Sequence, residues 1–92
     1  MEKGKWTFLS NHGRVFVYLS QHHSSTTETI SRDTGLSLRG VQKIITDLES
    51  GGYVEHHKEG RCNRYKVHTE KPMRHRLEEG HSVGDILAAL EN

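Results

Sequence analysis

One cysteine, Cys62, in 92 residues leaves no partner for an internal disulfide and too few thiolates for a multi-cysteine zinc site. Proline is equally scarce, with Pro72 alone, so the chain is punctuated by its nine glycines. No apolar run approaches the roughly 20 residues that a membrane span needs. The charged start Met1-Glu2-Lys3-Gly4-Lys5 leads into no signal-type apolar stretch. Internal repeats and low-complexity tracts are absent. Neither sign of charge dominates: thirteen Lys and Arg face twelve Asp and Glu. Net charge therefore argues for no partner, and any such argument rests on where the charges sit. With 32% hydrophobic residues, a single domain with a modest core is expected, which excludes a large enzyme with a deep cleft. These features point to a soluble, cytoplasmic protein.

Apolar periodicity then divides the chain. A first helix is predicted from Thr7 to Gln21, with Phe8, His12, Val15 and Leu19 at helical spacing, Leu9 and Phe16 beside them and Trp6 packing at its start. His22 to Thr27 reads as a polar loop. Ser25, Thr26 or Thr27 caps a short second helix around Ile30 that ends at Gly35. Ser37 caps a third helix, Leu38 to Ser50, whose buried face is Val41, Ile44, Ile45 and Leu48, and Gly51-Gly52 stops it. A hairpin follows, with strands Tyr53–Lys58 and Asn63–His68 around Glu59-Gly60-Arg61; Tyr65 and Val67 alternate inward. Thr69 to Pro72 is a linker. Ser82, with Asp85 as its capping partner, opens a last helix striped by Val83, Ile86, Leu87 and Leu90.

Helix, short helix, tight turn, helix, hairpin is the order of a helix-turn-helix with a wing, an arrangement that offers its second helix to the DNA major groove. Ile30, Leu36, Val41 and Ile44 supply a small core that fixes the angle between the two helices. Arg39, Gln42, Lys43 and Thr46 are left on the opposite face. Arg and Lys donate to guanine, Gln pairs with adenine, and Thr contacts a thymine methyl or a phosphate. Gly40 lets backbone approach closely, and Ser37 offers a phosphate contact at the helix N-terminus. Lys58, Arg61 and Arg64 bracket the hairpin turn, with Lys66 one pleat further, suited to phosphates or the minor groove. Against Arg39, Lys43, Lys58, Arg61, Arg64 and Lys66 stand Asp47, Glu49, Glu55 and Glu59. The small excess predicts modest affinity for a monomer and a need for dimerisation.

Trp6 to Val67 resembles a winged helix-turn-helix domain of the MarR-like type. Thr29–Ser37 (TISRDTGLS), Val41–Glu49 (VQKIITDLE), Gly52-Tyr53-Val54 and Gly60–Tyr65 (GRCNRY) carry the resemblance, which covers about two thirds of the chain. It implies a transcriptional regulator, a homodimer on a pseudo-palindromic operator, with the third helix as reader. Ser31 stands where such motifs usually carry alanine. The helices flanking the wing domain are short here, so the effector pocket they build in longer members is expected to be absent.

The expected architecture is mainly α with a small β-hairpin. Residues 1–70 form the winged helix-turn-helix DNA-binding domain, and 71–92 form a linker and C-terminal helix that is a possible dimerisation element. The recognition helix is assigned to 37–50 and the basic wing to 56–68. Val83, Ile86, Leu87 and Leu90 form a stripe too short to stand alone. Packing on the first helix and a dimer seam stand as alternatives for it, with the seam favoured because isologous pairing is the commonest oligomer solution. No cofactor or metal is expected. The eight histidines include the pairs His22-His23 and His56-His57, but adjacent strand residues point to opposite faces and no converging ligand spacing emerges. Cys62 near the wing turn reads as incidental rather than as a redox switch. There is no phosphate-binding glycine loop and no triad context, so an enzyme is not expected. The alternative function is a winged-helix protein-interaction module without specific DNA binding.

Overall fold

Ser10 decides where the first helix begins. Its Oγ accepts the Gly13 N–H at 3.1 Å, satisfying one of the donors that a helix start leaves free. In the computed structural model, which describes residues 6–91, α1 accordingly runs over Asn11–Gln21. The expected start at Thr7 is too early, because periodicity alone does not register a cap. Phe8, placed by spacing on the buried face, lies outside the helix and is 94% exposed. Trp6, 69% exposed, meets the edge of Phe8 at 5.1 Å. The buried face of α1 is Val15, Phe16, Tyr18 and Leu19. Tyr18 buries its ring and donates its hydroxyl to Asp33 at 2.7 Å, so its polar end is satisfied.

The predicted loop from His22 to Thr27 contains a short strand, β1, Ser24–Ser25. Thr26 then caps α2, Thr27–Thr34, accepting the Thr29 N–H at 3.1 Å. Gly35 ends it at φ +78°, a left-handed turn that costs a glycine nothing in Cβ strain. Ser37 caps α3, Leu38–Ser50, by accepting the Gly40 N–H at 3.0 Å. The wing is β2, Val54–Glu59, and β3, Cys62–Val67, turning at Gly60-Arg61. All pairings are antiparallel in the order β1-β3-β2, so β3 lies in the middle. β1 escapes a pattern search because two serines carry no alternation to find.

The segment read as a linker is fastened down. Tyr53 Oη donates to the Pro72 carbonyl at 2.6 Å. The N–H groups of Val83 and Gly84 donate to Lys71 and Thr69 carbonyls, each at 2.9 Å. A single 3-10 turn, Arg76–Glu78, precedes α4, Val83–Leu90. Asp85 accepts the Ser82 N–H at 3.1 Å at the start of α4, as the capping pair predicts.

Leu19, Ile30, Val15 and Val41 are the largest fully buried side chains and join α1, α2 and α3. Ile44, Ile45, Leu48, Tyr53, Val54 and Tyr65 extend that core under the sheet. Val83 and Leu87 of α4 pack partly buried against it. Ile30→Ala should therefore destabilise the fold by about 2–5 kcal/mol. Phe8→Ala should stay within about 0.5 kcal/mol of wild type. Urea denaturation of both variants checks this ranking.

The Tyr18 bond also carries a pH signature. It is the largest cause holding the Asp33 carboxyl below its ordinary 3.8, with Arg32 assisting. Its contribution is complete above the unfolded value and is lost as pH falls through the lower folded value. Asp33→Asn should flatten the acid limb of the stability–pH curve below about pH 5. An unchanged limb, followed by circular dichroism, would exclude this contact as a source of acid sensitivity.

Candidate nucleic-acid interface

The buried stripe of α3, Val41, Ile44, Ile45 and Leu48, turns its other side to solvent. Arg39, Gln42, Lys43 and Thr46 are all exposed. Spacings of three and four residues put them on one face. The four positions assigned from the sequence are thus brought together on a helix whose far side is locked into the core.

Their local bonding differs. Arg39 has no ion-pair partner among the described residues. Lys43 does: its Nζ donates to both carboxylate oxygens of Asp47, at 2.7 and 3.0 Å. His12 of α1 holds the same carboxylate through Nε2 at 2.8 Å. The Lys43 bond and then the His12 bond keep the Asp47 carboxyl below its usual range. Thr46 donates its hydroxyl to the Gln42 carbonyl at 3.0 Å, one turn back along the helix. Ser37 is exposed, and its Oγ is occupied by capping. A Cβ added to Gly40 would lie 3.1 Å from that Oγ. The local role of Gly40 is therefore to leave room for the cap.

On the wing, register separates residues that the sequence groups together. Lys58 pairs with Asn63, on the same side of the sheet as the Val54, His56 and Tyr65 positions. Arg64 pairs with His57, and Lys66 with Glu55, on the other side. Arg61 sits at the turn. Lys58, Arg61 and Arg64 are all exposed but do not share a face. β1 pairs Ser24 with Arg64 and Ser25 with Asn63, and the His23 carbonyl accepts the Tyr65 N–H at 2.7 Å. Cys62 is half-buried at the start of β3.

The sequence reading counts Asp47 only as an opposing acid and sets His12 on the apolar spacing of the first helix; the structure exposes His12 and joins the two. The readable signal was the lysine–acid spacing of Lys43 and Asp47, which marks an i,i+4 pair on a helix. His12 carried no such signal, because its partner is thirty-five positions away. Other histidines also meet carboxylates: His68 with Glu55 at 2.7 Å and Glu70 at 3.9 Å, His81 with Asp85 at 3.1 Å, His57 with Glu59 at 3.7 Å, and His56 with Glu49. Among the described residues, no three His, Cys, Asp or Glu side chains converge on a point that would hold a metal.

No protein-family model and no curated protein sequence matches this chain. Solved structures do. One is a MarR family transcription regulator, 15% identical, with a TM-score of 0.53 over 66% of this chain and 43% of that one. Another is the homodimeric winged helix-turn-helix DNA-binding domain of a possible ArsR-family transcriptional regulator from Mycobacterium bovis. That domain is 25% identical, with a TM-score of 0.52 over 88% of this chain and 62% of the other. A third is IscR of T. potens, 22% identical, with a TM-score of 0.57 over 94% and 62%. The chain thus spans under half of the first protein's length and 62% of the other two. Its fold is the winged helix-turn-helix, and the MarR-like resemblance of the sequence holds at the level of fold. Among the described residues, no helix is long and apolar enough to cross a membrane.

Proposed function

We propose that this chain is a non-enzymatic transcriptional regulator that binds double-stranded DNA sequence-specifically. The observation that carries the reading is the solvent face of α3, where Arg39, Gln42, Lys43 and Thr46 stand together on a helix backed by core. Residues 37–50 enter the major groove. Arg39 and Gln42 read base edges, and Thr46, its hydroxyl already bonded to the helix, offers its methyl to thymine. The wing, 56–68, lies along the flanking backbone or minor groove. There Arg61 and Arg64 supply charge from the turn and one face of the sheet, and Lys58 from the other. Ser37 and the α3 N-terminus add a phosphate contact.

The working unit is a homodimer, as is the mycobacterial winged helix-turn-helix domain of similar fold. Residues 1–70 are the DNA-binding part, and α4 within 71–92 is the dimer element. Val83 and Leu87 seat α4 on its own core. Ile86 and the exposed Leu90, one turn apart, extend the same apolar stripe toward a second copy.

Selection from random duplexes at near-physiological salt tests the reading. It should return an inverted repeat with half-sites about one helical turn apart. No enriched sequence, with no salt-dependent binding, favours a protein-interaction module instead. Arg39→Ala should relax preference at one base position, at about 1–3 kcal/mol. Arg64→Ala should weaken binding to every sequence alike and lower the salt slope by about 1. An unaltered preferred sequence in Arg39→Ala removes Arg39 as a reader. Leu90→Lys should shift the protein to monomer in light scattering; a persistent dimer places the seam elsewhere.

A further inference from the structure

The recognition face of α3 carries two cations, and only one is restrained. Lys43 is clasped by both oxygens of Asp47, and His12 reaches across from α1 to hold Asp47 Oδ2 at 2.8 Å. That carboxylate is held from two elements, which keeps its negative charge beside Lys43 on the recognition face, where it opposes an approaching phosphate. We propose that Asp47 is a specificity-determining residue, holding Lys43 back from indiscriminate phosphate attraction and yielding it where a base edge offers paired acceptors in exchange. The inference rests on the DNA-binding reading above and concerns how that interface rejects wrong sequences.

The physical argument is one of unequal replacement. Non-specific binding draws almost wholly on cations meeting phosphates and releasing counterions. A lysine already neutralised by a carboxylate contributes little to it, and the carboxylate itself repels phosphate. Guanine presents O6 and N7 side by side in the major groove, two acceptors that can take over the two bonds made by Asp47. The lysine side chain is 71% exposed and the aspartate 35%. An ion pair that exposed is weak enough to be exchanged. The result is discrimination through a repulsive element, which costs affinity everywhere but costs least at the right site. Arg39, with no ion-pair partner among the described residues, supplies the contrast on the same helix.

The test compares wild type, Asp47→Asn, Lys43→Gln and the double variant, each first shown to melt cooperatively. Each is titrated with the selected duplex and with a random-sequence duplex across a salt series. Asp47→Asn should tighten random-duplex binding about tenfold near 0.1 M salt and steepen its salt slope by about 1. The selected duplex should gain less, so the ratio between the two falls. Lys43→Gln should weaken the selected duplex by more than it weakens the random one. In the Lys43→Gln background, Asp47→Asn should have lost most of its effect. Equal gains on both duplexes, or a gain that persists undiminished without Lys43, overturn the proposal by reducing Asp47 to a diffuse negative charge. Absence of salt-dependent binding in all four proteins overturns the DNA reading itself, and this inference with it.

Discussion

The turn between α2 and α3 is the constraint on which the rest of the structure depends. One glycine and three hydrogen bonds hold it. Gly35 supplies the left-handed backbone. Ser31 Oγ donates to the Leu36 carbonyl at 2.5 Å, and Thr34 Oγ1 donates to the Ile30 carbonyl at 2.7 Å. From α1, the Arg14 guanidinium donates to the Thr34 carbonyl at 3.0 Å, meeting an acceptor that the end of α2 leaves free. Ser31, where such motifs usually carry alanine, therefore replaces apolar contact with a hydrogen bond across the turn. Ile30 and Val41, both without solvent exposure, close the angle from the core side. With that angle set, the face of α3 that carries Arg39 and Gln42 has one possible direction.

A second organising feature is the pairing of charge. The chain is almost neutral, with a formal net charge of +1. Its acids are distributed rather than pooled: Asp33 on Arg32 and the Tyr18 hydroxyl, Asp47 on Lys43 and His12, Glu55 on His68, Asp85 on His81. Each contact is exposed or partly so, and each is worth little to stability singly. Their collective effect is to leave particular cations without an acid beside them. Among the described residues, Arg39, Arg61 and Arg64 make no ion pair. Overall charge therefore says little about this surface, whereas the map of which cations lack a partner says a good deal.

Much of the fold was legible because its helices are marked at their ends. Ser37, Gly35, Gly51 and the Ser82/Asp85 pair mark four boundaries, and Val41 to Leu48 repeat at the helical period. The start of α1 is hidden from the pattern, since Phe8 and Leu9 keep the apolar rhythm ahead of the Ser10 cap. β1 and the anchoring of residues 69–84 left no trace in the pattern, because backbone bonds such as Gly84 to Thr69 depend on position and not on side-chain type. At the candidate interface, the exposed face of α3 followed directly from its buried one. The split of the wing cations followed only from strand register, which the hairpin sequence did not determine. The Lys43–Asp47 pair is marked by its i,i+4 spacing, whereas the His12 bond to Asp47 needs the approach of α1 to α3, a tertiary fact invisible to spacing.

β1 pairs with Asn63 and Arg64, immediately beside the Gly60-Arg61 tip. The wing is therefore stitched to the body almost as far as its turn, not merely at its root. A loose arm must surrender conformational freedom when it settles on a partner, typically about 1–2 kcal/mol for each residue fixed. Here that loss has already been met in folding. The hairpin is built as a strut: in the proposed DNA-binding role its cations would meet a duplex at a set angle and height, and a duplex that did not fit that geometry would itself have to bend to be held.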